Sequence, residues 1–208
     1  MHIYLDCDEV LLKTAESHHL MRKIKYGIED DYISKYPSQW VYEHSELTDY
    51  NTSTEKFTNS YDFSGIEPVK NAVLGINKLK QANFKLHVVT SITDERLTKL
   101  YRQKNLQYIF GDVFEDVTCL SLGHDNKKEY YQNVPKGIVI DDSPYNIMDA
   151  VACGHEGIFI AITQNKEWHD KMRKMPQVSV KKDLLSAADF LIEKNLLRYA
   201  HLVAGRQK

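Results

Sequence analysis

The sequence predicts an α/β protein: a parallel, doubly wound sheet with helices on both faces and a partly helical insertion after the first strand. Short apolar runs rich in β-branched residues, Ile3–Leu5, Phe84–Val89, Gly137–Ile140 and Gly157–Ile162, alternate with segments of helical periodicity. Three of these runs break off in polar groups: Asp6 and Asp8, then Thr90 and Ser91, then Asp141 and Asp142. Between the first run and residue 67 the chain changes character, rich in tyrosine and charge and without another strand-like run.

A chain of 208 residues fits one domain, or a core with a modest insertion, and can bury a real core. Its 27 basic and 29 acidic residues are spread along the chain for a net charge of -2, which gives no footprint for a nucleic-acid polymer or an anionic membrane. No basic-then-apolar leader follows Met1, and no apolar run approaches the roughly 20 residues a bilayer demands, so a cytoplasmic protein is expected. Cys7, Cys119 and Cys153 are odd in number and far apart, which suggests neither a disulfide framework nor a zinc site. Cys7 and Cys153 read as small buried hydrophobes.

In chain order, Ile3–Leu5 is a buried strand delivering Asp6 and Asp8 at its carboxyl end, where open α/β sheets bind ligands. Residues from Ala15 to Tyr26 form a helix with Leu20, Ile24 and the tyrosine on one side, the opening of a lid that runs to residue 66. Pro68 at a first helical position opens the next helix, with Val69, Val73, Ile76 and Leu79 on one face and Asn83 ending it. After the strand Phe84–Val89, a helix from Asp94 to about Lys104 is capped by Thr93 or Asp94 and faces Leu97, Leu100 and Tyr101 inward. The stretches Tyr108–Phe114 and Val117–Leu122 each read as strands. Gly137–Ile140 is a buried strand, and Ser143-Pro144 starts a helix with Ile147, Met148 and Val151 on one face, closed by Gly154. Gly157–Ile162 is a further strand, and a last helix covers residues 183 to about 200 with Leu184, Ala188, Leu191 and Ile192 inward.

In a parallel sheet the three polar strand ends open on one edge and converge. Four carboxylates cannot gather unaided, because two unit charges about 4 Å apart repel by roughly 4 kcal/mol at a surface-like dielectric. A hard divalent cation removes the conflict, and oxygen-only ligands favour Mg²⁺ over zinc.

Asp6-Cys7-Asp8, the strand ending Val88-Val89-Thr90-Ser91, a lysine near residue 127, and Ile138-Val139-Ile140-Asp141-Asp142 resemble the four ordered motifs of the haloacid dehalogenase (HAD) superfamily. The resemblance covers about residues 1–14 and 67–165. Within the superfamily, Asp-x-Asp-x-Val-Leu with Thr-Ser at the second motif is most similar to the 5'(3')-deoxyribonucleotidase group. It implies a Rossmann-like three-layer α/β/α sandwich, with residues 1–14 and 67–208 as core and residues 15–66 as a small, mainly helical cap.

The resemblance also implies roles. Asp6 is the nucleophile that forms an aspartyl-phosphate. Asp8 protonates the leaving alcohol and then deprotonates water. Mg²⁺ is held by Asp6, the Asp8 carbonyl and one or both of Asp141 and Asp142. Thr90 or Ser91 donates to a phosphoryl oxygen, and Lys127, preferred to Lys128, completes the phosphate site. Asn146 either orients a metal ligand or caps a surface helix, and His18, His19, Arg22 and Trp40 are lid candidates for the leaving group. Two positions depart from the pattern: Glu9 stands where family members often carry Gly, and Lys13 near where the nucleotidase group commonly has Asp.

The expected activity is a Mg²⁺-dependent phosphomonoesterase acting on a small phosphorylated metabolite, with a nucleoside or deoxynucleoside monophosphate leading and a sugar or amino-acid phosphate as the alternative. The second carboxylate, Asp8, argues against carbon–halogen cleavage, and the order of the acidic pair and the lysine argues against a phospho-acceptor signalling domain. A non-catalytic phospholigand-binding protein is the third reading, and the tyrosine-rich lid serves equally as a homodimer surface.

Overall fold

The computed structural model describes residues 1–27, 54–121, 126–162 and 166–205. Among the described residues six strands make one all-parallel sheet: β1 (His2–Leu5), β2 (Lys85–Ile92), β3 (Asp116–Ser121), β4 (Ile138–Asp141), β5 (Glu156–Ile160) and β6 (Val178–Lys181). The helices are α1 (Thr14–Tyr26), α2 (Ala72–Gln81), α3 (Arg96–Phe110), α4 (Lys127–Asn133), α5 (Pro144–Ala152), α6 (Lys166–Arg173) and α7 (Leu184–Gly205). Residues 54–58 are helical and a 3-10 turn covers Tyr61–Gly65. The strand order is β3-β2-β1-β4-β5-β6. The chain therefore winds outward from β1 to β3, returns to β4 on the other side of β1 and winds outward again. That reversal leaves a crevice at the carboxyl ends of β1 and β4, the place where such sheets bind ligands.

Side-chain alternation along the strands sorts the interior into two layers. Ile3, Leu5, Leu86, Val88, Ile138 and Ile140 pack with Ile76 and Leu79 of α2, Leu106 of α3 and Leu184 of α7. Tyr4, Val89, Val139 and Phe159 point the other way, onto Tyr131 of α4, Ile147 of α5 and Met172 of α6. The result is the three-layer α/β/α sandwich that the alternating pattern predicts. Where β4 begins beside β1 only glycine fits, because a Cβ at Gly137 would lie 2.4 Å from the His2 carbonyl oxygen.

His155 seals the second layer at 2% exposure. Its Nε2 donates to the Tyr131 carbonyl at 2.8 Å while Nδ1 accepts from the Gly137 amide at 3.3 Å, a pattern only the neutral ring can make. Burial holds its pKa below the ordinary value, against the pull of the Tyr131 bond. The unfolded chain therefore binds an extra proton below about pH 6.5, and stability contributed by the neutral ring is lost as pH falls below that value. Urea unfolding of the wild type and His155→Gln across about pH 5 to 7.5 is expected to show a shallower slope for the variant, by up to about 1.4 kcal/mol per pH unit. Equal slopes would contradict this account.

Several sequence expectations are corrected. Tyr108–Phe114 is no strand: α3 continues to Phe110 and ends at Gly111, whose φ is 70°. Pro68 does not open a helix. It bridges to Leu12, the Val69 amide donates to the Leu11 carbonyl, and α2 begins at Ala72 behind Asn71 in a left-handed conformation. Thr93 and Asp94 do not cap α3, which starts at Arg96. Leu97 and Leu100 are exposed, and the buried face of α3 carries Thr98, Arg102, Asn105 and Leu106. On α1, Leu20 and Ile24 are exposed while His18, Met21 and Arg22 are buried. Cys7 is fully buried and Cys153 half-buried. The half-buried edge strand β6 and helix α6 are absent from the sequence reading.

Trp40 and the rest of residues 28–53 lie outside the described residues. On either side of those residues, Met21, Phe57, Phe63 and Ile66 join the apolar layer that holds Leu5. Among the described residues no helix is long and apolar enough to cross a membrane.

Candidate active site

The register of the central strands sets the site. Leu5, the last residue of β1, lies level with Val88 of β2 and Ile140 of β4, so Asp6 and Asp141 follow side by side at the crevice. Asp6 stays tied to the sheet edge, its amide donating to the Ile140 carbonyl at 2.9 Å. Asp6, Asp141 and Asp142 are all buried, and one carboxylate oxygen from each lies within 4.8 Å of the others.

Lys127, the first residue of α4, reaches into this cluster and is itself 7% exposed. Its Nζ lies 2.8 Å from Asp6 Oδ1 and donates at 2.8 Å to Asp141 Oδ2. The Asn126 side chain positions this lysine by accepting from the Glu129 amide, which caps α4. Lys128, the alternative, turns outward to Asp149 at 3.6 Å. Asp141 is held further by the Ser143 amide on Oδ1 at 2.8 Å and by Asn146 Nδ2 at 3.0 Å from both oxygens. Asn146 thus acts on a carboxylate of the cluster rather than as a surface cap. Asp6 Oδ1 also accepts from the Cys7 amide at 2.7 Å, whereas Oδ2 carries no hydrogen bond among the described residues.

The electrostatics follow from this packing. Burial first, then the Asp141 charge, lifts the Asp6 pKa to about 7 against the pull of Lys127. Burial alone would lower the Lys127 pKa, but Asp141 and Asp6 hold it well above the ordinary value. Three buried carboxylates face one ammonium here. That excess of hard, anionic oxygen fits a divalent cation of the Mg²⁺ type.

Asp8 follows on a loop closed by the Leu11 and Leu12 amides donating to the Cys7 carbonyl. Its Oδ1 accepts from Arg102 Nη2 at 2.5 Å and from Thr14 Oγ1 at 2.5 Å. Neither partner is singled out by the sequence reading. The available signal for Arg102 was the spacing Thr98, Arg102, Asn105, a polar stripe on one face of a helix.

Glu9, the departure from the family pattern, sits at φ 59°, a conformation that explains glycine at such a position. Its carboxylate accepts from the Ala15 amide at 2.6 Å, at the first turn of α1. Burial pushes its pKa up to about 7, opposed by that amide.

Thr90 and Ser91 lie near the end of β2, which runs on to Ile92 beside β1 and β3. Thr90 is fully buried, and its Oγ1 has no hydrogen-bond partner among the described residues. Ser91 is half-buried and, by strand alternation, faces the layer that holds Tyr4 and Val139. A buried hydroxyl without a partner costs about 1–3 kcal/mol, a cost that an incoming anion would relieve. Of the lid candidates, His18 stacks on Phe57 with centroids 5.2 Å apart, Arg22 is buried one turn later, and His19 is half-buried.

No family model and no curated protein matches the sequence. Solved structures do. A haloacid dehalogenase-like family hydrolase from Streptococcus pneumoniae aligns over 91% of this chain and 97% of its own, with a TM-score of 0.60 at 12% identity. A protein of Clostridium acetobutylicum whose phosphatase activity is itself a prediction aligns over 94% and 97%, with a TM-score of 0.65 at 17% identity. The D,D-heptose 1,7-bisphosphate phosphatase of B. bronchiseptica, solved with magnesium and phosphate, aligns over 93% and 98%, with a TM-score of 0.58 at 12% identity. At these identities the likeness is one of architecture, and the chain carries the Rossmann-like α/β/α fold of the haloacid dehalogenase-like phosphatases.

Proposed function

We propose that this protein is a Mg²⁺-dependent phosphomonoesterase that works through an aspartyl-phosphate on Asp6. The observation that carries the reading is the arrangement of Asp6 at the switch point: Oδ1 is locked by Lys127 and the Cys7 amide, and Oδ2 is left open.

In the first half-reaction Asp6 Oδ2 attacks phosphorus, the ester P–O bond breaks, and Asp8 gives its proton to the departing alkoxide. In the second, a water attacks phosphorus, Asp8 takes the proton from that water, and phosphate leaves with Asp6 restored. Lys127 offsets charge on Asp6 and on the phosphoryl group, while Thr90 or Ser91 donates to a phosphoryl oxygen. A bound Mg²⁺ supplies charge neutralisation for the phosphoryl oxygens. Asp6, Asp142 and the Asp8 carbonyl are the groups to hold it. Asp141, which offers a carboxylate oxygen within 4.8 Å of those of Asp6 and Asp142, is a further candidate ligand, and it orients Lys127 while accepting from Ser143 and Asn146.

The leading substrate is a nucleoside or deoxynucleoside monophosphate, on the motif resemblance to the 5'(3')-deoxyribonucleotidase group. A sugar phosphate is the second reading, favoured by the architectural likeness to a heptose bisphosphate phosphatase. Phosphate release from nucleoside monophosphates, sugar phosphates, amino-acid phosphates and p-nitrophenyl phosphate, each with Mg²⁺ and with EDTA, separates the two. Mg²⁺-dependent release from the nucleotides is the expected result, release from sugar phosphates alone replaces the substrate, and release from none of them overturns the activity.

A further inference from the structure

The buried face of α3 is polar where a core helix is ordinarily apolar. Thr98, Arg102 and Asn105 recur at helical spacing, and all three are at most 1% exposed. The two outer members grip the chain on its return from the insertion. Thr98 Oγ1 lies 3.2 Å from the Thr58 carbonyl and 2.7 Å from Asn59 Oδ1, and Asn105 Nδ2 donates to the Ile66 carbonyl at 3.0 Å.

The central member, Arg102, reaches through to the site. Its guanidinium lies 4.4 Å over the Phe63 ring, Nη1 contacts Cys7 Sγ at 3.2 Å and Nη2 donates to Asp8 Oδ1 at 2.5 Å. Taking a guanidinium fully out of water costs several kcal/mol, and anchoring the returning chain alone needs no charge. The carboxylate that repays this burial is Asp8.

Thr14 Oγ1 donates to the same Asp8 oxygen at 2.5 Å. With Oδ1 held by two donors, Oδ2 is the Asp8 oxygen that neither of them engages.

We propose that Arg102 is a positioning residue: it pins Asp8 through Oδ1 so that Oδ2 performs the proton transfers. It also ties that geometry to Phe63 and the segment returning from the insertion. The inference rests on the phosphomonoesterase reading. It assigns to α3, an element outside the four motifs, control over the acid–base group of the site.

The test exploits leaving-group chemistry. Departure of an alkoxide requires a proton, whereas departure of p-nitrophenolate hardly does. The ratio of kcat/KM for an alkyl phosphate to that for p-nitrophenyl phosphate therefore reports the acid function of Asp8. Arg102→Met is expected to lose about 10²-fold on the alkyl ester and less than about tenfold on p-nitrophenyl phosphate. Arg102→Lys, which keeps a cation but not the fork, recovers part of the ratio. In an Asp8→Ala background, Arg102→Met should add little further loss, because both changes act on one group.

Thermal melts accompany each variant, and Arg102→Lys keeps the ratio measurable if Arg102→Met does not fold. Equal losses on both esters, or a full additional loss in the Asp8→Ala background, would show a purely structural arginine and overturn the proposal. A wild type inactive on both esters overturns the phosphomonoesterase reading itself, and this proposal with it.

Discussion

Replacing Asp6 by Asn is expected to abolish turnover, a loss on the order of 10⁵-fold or more in kcat, while leaving the protein folded. The amide has nearly the shape of the carboxylate but no nucleophilic oxygen, so no covalent intermediate forms. Stability should hold or improve without divalent cation, because burial and Asp141 raise the Asp6 pKa to about 7. A group whose folded pKa lies above its unfolded value binds more protons when folded. As pH rises from about 4 to 7, the wild type accordingly loses stability at this site, and the Asn variant is spared that loss. Melting curves in EDTA at pH 7 should show a midpoint for Asp6→Asn at or above that of the wild type. Added Mg²⁺ should stabilise the wild type more than the variant. A variant that melts well below the wild type would place Asp6 in a structural role.

Lys127→Met should be the most damaging single change to the fold among the site residues. It removes the cation 2.8 Å from both Asp6 and Asp141 and leaves buried carboxylates facing one another. Breaking one side of a buried pair costs about 3–5 kcal/mol, which is a large part of an ordinary domain's stability. Activity is lost as well. The diagnostic result is a rescue: adding Asp6→Asn to Lys127→Met should restore part of the lost stability, because one of the unpaired charges is gone. Denaturant unfolding of the wild type, the two single variants and the double variant measures that coupling. Additive effects would mean that Lys127 and Asp6 do not share a charge network.

The outcome at particular residues shows what a sequence carries. Asp6 and Asp141 were readable together because parallel strands end on one edge, so two separate strand ends become one place. Arg102 was not. Leucine spacing puts Leu97 and Leu100 on the inward face of α3, but that helix packs on carbonyls of the returning chain and on Asp8, and so buries Thr98, Arg102 and Asn105 while exposing both leucines. Pro68 misled because proline fits a first helical turn and equally fits the irregular crossing at Leu12. β6 escaped because four half-buried edge residues leave no apolar run to read. The departure at Glu9 became intelligible only with its positive φ and its bond to the Ala15 amide.

The central claim is chemical: phosphate leaves its ester onto Asp6 before it reaches water. Quenching the wild type during Mg²⁺-supported turnover of its best substrate, reducing with borohydride and mapping peptides by mass spectrometry tests it most directly. Borohydride converts an acyl phosphate to the alcohol, so homoserine should appear at position 6 and nowhere else, and be absent from controls without substrate or with Asp6→Asn. Sustained phosphate release with position 6 unmodified, or modification at Asp8 or Asp141 instead, would contradict the mechanism.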